Sequence, residues 1–104
     1  MPSRNPAKLN GYRKRIDIMD EKILSLLKKR LDLCVKIAEF KKNNGMAIKQ
    51  PEREREALKK AARKGQLKNM EKAFVESLFR LIYRESRTIQ MKKGKSFDRK
   101  GKNG

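Results

Sequence analysis

The sequence predicts an all-α protein, a three-helix chain with a long first helix. Prolines occur only at positions 2, 6 and 51, so most of the 104-residue chain has no helix breaker. β-Branched residues are few, which argues against a sheet. Apolar residues between Tyr12 and Phe40 recur mostly at alternating spacings of four and three, as one buried helix face requires. The length suits a single domain.

The first helix is expected to run from about Leu9 to Lys42 and to stop at the segment KKNNG, where Gly45 supplies a helix-ending conformation. A helix of that length measures about 50 Å. A compact domain of this size spans only about 30 to 35 Å. A helix that outreaches its own domain needs another subunit to cover it, so the sequence predicts an intertwined homodimer.

A charged residue, Arg30, interrupts the apolar stripe of this helix between Leu26 and Leu33. An unpaired buried charge would cost several kcal/mol, so an anionic group should meet it. Lys41 follows three turns later on nearly the same side. Two interpretations stay open: Arg30 pairs with an acid of another helix, or Arg30 and Lys41 form an anion site within a helical bundle.

The second helix should begin at Pro51 and end at Gly65, because acids occupy its first turn and bases its last. Gln50 would stand at its cap, although glutamine caps poorly. Asn69 could cap the third helix, whose apolar stripe turns polar at Ser86 and Gln90. This change marks either a frayed helix end or a polar site. We expect a flexible lead-in over residues 1–8, one domain over 9–90, and a basic, disordered tail over 91–104.

The formal net charge is +18, and the sequence pI is about 10.5. This charge favours anionic partners, but it cannot distinguish nucleic acid from a small polyanionic substrate. The chain has no histidine and one cysteine, Cys34, so a zinc or iron site is not expected. No apolar signal segment or membrane span is evident, and we expect a soluble, cytoplasmic protein.

Four segments in register carry a resemblance to a known family: YRKRIDIMDEKILSLLKKR, IAEFKKNNG, IKQPERERE and FRLIYRESRTIQ. Over residues 9–90 the chain resembles the AroQ-type, all-helical chorismate mutases. The resemblance implies a cofactor-free isomerase that converts chorismate to prephenate in phenylalanine and tyrosine biosynthesis. It also implies a dimer of three-helix chains whose two active sites each use both subunits.

The resemblance assigns contacts with chorismate to polar residues of all three helices and of the connector between the first two: Arg13, Arg30, Lys41, Gln50, Arg53, Glu54, Ser86 and Gln90. Arg13 would come from the partner subunit. The arginines and Ser86 would hold the two carboxylates of the substrate. Lys41 and Gln90 would hydrogen-bond its ether oxygen, and Glu54 would take its ring hydroxyl.

The residues expected to carry catalysis itself are Lys41, Gln90, Arg30 and Glu54. The chain departs from the family pattern at three positions. Gln50 stands where many relatives have aspartate, which puts its help to the substrate hydroxyl in question. Tyr83 and Arg87 stand near the site where smaller apolar groups are expected, although helical spacing could turn Arg87 outward.

Two alternatives compete with the mutase. An isochorismate-pyruvate lyase shares the fold, but that family lacks the carboxylate equivalent to Glu54. A basic helical nucleic-acid-binding module would carry its cations on an exposed face, whereas Arg30 and Lys41 fall on stripes that otherwise point inward. Its basic tail also lacks interleaved aromatics, with Phe97 alone. We therefore expect nucleic-acid binding to be nonspecific at most.

Overall fold

A computed structural model describes the backbone of residues 5–102 and the side chains of residues 5–93. The described backbone forms three α-helices and no strand: α1 (Pro6–Asn43), α2 (Pro51–Leu67) and α3 (Lys72–Lys102). The predicted all-α class and the three-helix order are confirmed. The chain divides into two compact units at Asp32, and α1 contributes to both. The homodimer stays a prediction.

Local capping explains where α1 begins. The side-chain oxygen of Asn5 accepts hydrogen bonds from the backbone N–H groups of Ala7, at 3.1 Å, and Lys8, at 3.3 Å. Asn5 thus satisfies two donors that have no partner inside the helix, and Pro6 follows at the first helical position. The helix begins three residues earlier than the predicted Leu9.

The predicted stop of α1 at KKNNG is confirmed. Gly45 has φ +64°, in the left-handed region that glycine adopts readily. The Met46 N–H then donates to the carbonyl of Lys41 at 2.7 Å, which satisfies a carbonyl of the last helical turn.

The first unit consists of the N-terminal part of α1. Every residue from 5 to 26 is exposed, and Leu27, Arg30 and Leu31 are half-buried. The apolar stripe shares this exposure, with Ile23 at 55% and Leu26 at 65%. Within this unit the stripe that the sequence predicts to be buried has no cover.

The second unit contains the end of α1, α2 and α3. Its buried apolar side chains come from all three helices: Ala38, Ala62, Val75 and Tyr83. Gly65 is buried inside α2 rather than ending it, so the predicted terminus at Gly65 is wrong. A Cβ atom at Gly65 would lie 2.5 Å from Cγ2 of Val75, so the glycine allows α3 to approach α2 closely.

The connection between α2 and α3 also differs from the prediction. Asn69 has φ +60° and lies in the turn, and α3 begins at Lys72, so Asn69 does not cap this helix. At its other end, α3 continues to Lys102, through most of the tail for which the sequence predicts disorder. The division into lead-in, domain and tail stays a prediction.

None of the described helices is both long enough and apolar enough to cross a membrane.

Candidate functional site

Lys41 lies in the last turn of α1 and is held by the connector to α2. Its Nζ donates to Oε1 of Gln50 at 3.1 Å and to the carbonyl of Ile48 at 3.4 Å. Gln50 stands at the N-cap of α2 but makes no side-chain capping hydrogen bond. Its contact with Lys41 therefore accounts for a glutamine at a position where it caps poorly.

Ser86 and Gln90 lie one turn apart on α3. The Gln90 Nε2 donates to the carbonyl of Cys34 at 2.9 Å and so connects α3 to the end of α1. Ser86 is buried, and its hydroxyl donates to the carbonyl of Ile82 at 2.8 Å. The polar end of the α3 stripe is therefore not a frayed helix end. Its side chains are buried or half-buried and make ordered hydrogen bonds.

The carboxylate of Glu54, in the first turn of α2, pairs with Arg87 of α3. One guanidinium nitrogen, Nη1, lies 2.6 Å from Oε1 and 2.5 Å from Oε2. Both side chains are partly exposed, Arg87 to 41% and Glu54 to 36%. Arg87 therefore faces α2, which decides an orientation that the sequence left open. Its position three residues before Gln90 places Arg87 on the same side of α3, but the acid opposite it on α2 decides its direction.

Tyr83, the other departure from the family pattern, belongs to the core of the second unit. It is buried, and its ring meets that of Phe79 edge to face, with centroids 5.9 Å apart. Its bulk serves the packing of α3.

The remaining predicted site residues are three arginines. Arg53 is exposed and lines a different hollow between α2 and α3 from the one that Glu54 lines. Arg13 and Arg30 belong to the first unit, where Arg13 is exposed and Arg30 is half-buried. The second unit thus holds Lys41, Gln50, Arg53, Glu54, Ser86 and Gln90.

The chemistry of these side chains favours an anionic ligand. Lys41 and Gln90 supply an ammonium group and a neutral amide donor, while the acid among them, Glu54, is paired with Arg87. Such a set can bind carboxylates and stabilise negative charge on an oxygen. Among the described residues, no group of three or more histidine, cysteine or acidic side chains is arranged to hold a metal ion.

Comparison with known proteins identifies the family. The chorismate mutase type II family matches residues 12–91. A bifunctional chorismate mutase/prephenate dehydratase of Buchnera aphidicola is 37% identical over 93% of this chain and 25% of its own length. The T-protein of Enterobacter agglomerans is 34% identical over 85% of this chain and 24% of its own.

A shorter relative is the 4-amino-4-deoxychorismate mutase of Streptomyces pristinaespiralis. It is 31% identical over 75% of this chain and 60% of its own length. The chain spans about a quarter of the length of the bifunctional relative and of the T-protein. Because the family match covers residues 12–91, most of the three-helix fold and all of the predicted site, the chain belongs to the chorismate mutase type II family.

Proposed function

We propose that this chain catalyses the rearrangement of chorismate to prephenate. The observation that carries the proposal is that every residue assigned to substrate contact, from Arg13 to Gln90, falls inside the family match. The reaction breaks a carbon–oxygen bond and forms a carbon–carbon bond within one molecule. It needs no base, nucleophile or metal, so an enzyme acts by holding the reactive conformation and stabilising charge on the ether oxygen.

Lys41 and Gln90 are the proposed donors to that ether oxygen. The Lys41 ammonium is kept at the end of α1 by the Ile48 carbonyl and Gln50. A glutamine amide has two N–H donors, and one of those on Gln90 is used by the Cys34 carbonyl. That contact fixes the plane of the amide and leaves its second N–H for the substrate.

The two carboxylates of chorismate are assigned to Arg30, Arg53, Ser86 and the partner's Arg13. Guanidinium groups suit this task because they bind carboxylates in a forked, directional manner. Glu54 would accept the hydrogen bond of the ring hydroxyl. Gln50 stands where many relatives have aspartate, so this position adds no carboxylate to that of Glu54. Its proposed task is to orient Lys41.

We propose that the active unit is a homodimer in which Arg13 crosses to the partner's site. The support comes from the first unit, in which every residue from 5 to 26 is exposed. A helix with an exposed apolar face is marginally stable in water, so a second copy of the chain is the proposed cover for this stripe.

The activity is tested by following the loss of chorismate absorbance with purified protein, with prephenate confirmed by acid conversion to phenylpyruvate. We expect rapid conversion that Arg30→Ala abolishes. Arg15→Ala removes an exposed arginine of the same helix and should keep the activity. A folded protein that leaves chorismate unchanged would overturn the proposal.

Sharing of the site is tested by mixing two inactive variants, Arg13→Ala and Lys41→Ala, under conditions that allow subunits to exchange. A heterodimer would contain one site with both residues intact. Since half of the dimers in an equal mixture are heterodimers, activity should return to about a quarter of the wild-type value. A mixture that stays inactive although heterodimers form would show that Arg13 does not cross the interface.

The lyase is tested with isochorismate as substrate. The presence of Glu54 favours the mutase, so salicylate and pyruvate should not form. The cytoplasmic location stays a prediction from the sequence.

A further inference from the structure

Glu54 is assigned to contact with the substrate, but its partner Arg87 has no assigned role in the reaction. Both oxygens of the carboxylate lie within 2.6 Å of one guanidinium nitrogen, across the contact between α2 and α3. An ion pair with both side chains about two-fifths exposed contributes little to stability, because water screens it. Its larger effect is on the charge and direction of the Glu54 carboxylate.

The surroundings increase the positive charge beside Glu54. The groove between α2 and α3 into which Glu54 faces is lined, among the described residues, by this single acid and by four arginines: Arg55, Arg80, Arg84 and Arg87. Of these, Arg87 is the one that contacts Glu54, while Arg55 pairs with Glu52 and Arg80 with Glu76. A ligand group that approaches Glu54 therefore meets a carboxylate whose charge is already balanced.

We propose that Arg87 is a specificity-determining residue that makes Glu54 select a neutral hydroxyl, rather than an ammonium group, on the ring of the substrate. A neutral hydroxyl can donate to a paired carboxylate without a change in charge. A ring amino group that is protonated would add a cation beside the guanidinium group of Arg87, and like charges at this range repel. The inference rests on the proposed function, in which Glu54 takes the ring substituent.

The test compares kcat/KM for chorismate with kcat/KM for the analogue that carries an amino group in place of the ring hydroxyl. The wild-type protein should prefer chorismate. Arg87→Met leaves Glu54 as an unpaired carboxylate, which favours the cationic analogue. The preference for chorismate should then fall on the order of tenfold, the effect of one partly screened charge contact.

Two further variants at position 87 separate charge from packing, and one at position 84 is a control. Arg87→Lys keeps the positive charge and should keep the wild-type preference. Arg87→Gln can still hydrogen-bond Glu54 without a charge, and its preference should fall as in Arg87→Met even if the methionine variant folds poorly. Arg84→Met removes an exposed arginine from the same groove and should leave the preference unchanged. A purely structural effect would reduce the rates of both substrates alike.

The outcomes are distinct. If the wild-type protein converts chorismate but Arg87→Gln keeps its preference, the role of Arg87 is overturned and the proposed function stands. An equal fall in preference for Arg84→Met would also overturn it, because general charge in the groove would then suffice. If the wild-type protein converts neither substrate, the proposed function fails, and this inference fails with it.

Discussion

Replacing Gly65 by alanine tests the close approach of α2 and α3. The added Cβ would lie 2.5 Å from Cγ2 of Val75, and 3.4 Å from its Cβ and Cγ1. Carbon atoms in favourable contact are about 3.5 to 4.0 Å apart, so Val75 would have to retreat by about 1 Å. Val75 is buried and cannot easily rotate away, because a valine in a helix has one strongly preferred rotamer.

Two opposing effects set the magnitude. Alanine stabilises a helix interior by about 0.5–1 kcal/mol relative to glycine. Overpacking a tight contact costs about 1–3 kcal/mol. We therefore expect Gly65→Ala to lower the free energy of unfolding by about 1 kcal/mol. The measurement is urea denaturation followed by circular dichroism at one fixed protein concentration, since oligomer stability depends on concentration.

A matched substitution and a double mutant sharpen this test. Gly11 is also helical, but a Cβ there would have nothing within 4 Å, so Gly11→Ala should stabilise the protein. Val75→Ala makes room for the new methyl, so Gly65→Ala should cost less in that background than in the wild type. If Gly65→Ala is as stable as the wild type, or if the two changes are simply additive, the steric reasoning is refuted.

Three further predictions concern the site and the charge of the chain. Lys41→Ala should lower kcat about a hundredfold or more while the protein stays folded, because a donor of this kind supplies about 3–4 kcal/mol; near-normal turnover would contradict the role of Lys41. Gln90 donates without titrating, so Gln90→Ala should lower the rate without changing the shape of the rate profile between about pH 5 and 9. A changed shape would contradict that role. DNA binding should be weak and fall steeply with salt in a titrated binding assay, whereas tight, salt-insensitive binding would indicate a nucleic-acid function.

Local signals predicted the helices well. Pro51 marks the start of α2, and Gly45 ends α1, because both act through their own backbone conformation. The same reasoning failed at Gly65 and Asn69. Gly65 allows a close contact with Val75, which lies ten residues away along the chain. A short-range sequence pattern does not show which residue of another helix will pack against a glycine.

The site was predicted less completely, for a similar reason. The spacing on α3 correctly indicated that Ser86 and Gln90 share a polar face, and the structure gives them ordered partners. The contact of Lys41 with Gln50 depends on the path of the connector, and the direction of Arg87 depends on the acid that α2 places opposite it. Neither follows from helical spacing alone.

The glutamine beside Lys41 also affects how easily the ammonium group can exchange partners. The Lys41 ammonium group has two contacts, and both are with neutral oxygens: the amide oxygen of Gln50 and the carbonyl oxygen of Ile48. Hydrogen bonds to neutral groups are weaker than those to a carboxylate. An anion that bound at Lys41 would therefore displace them without separating an ion pair, whereas an aspartate at position 50 would compete with that anion as a resident counter-ion.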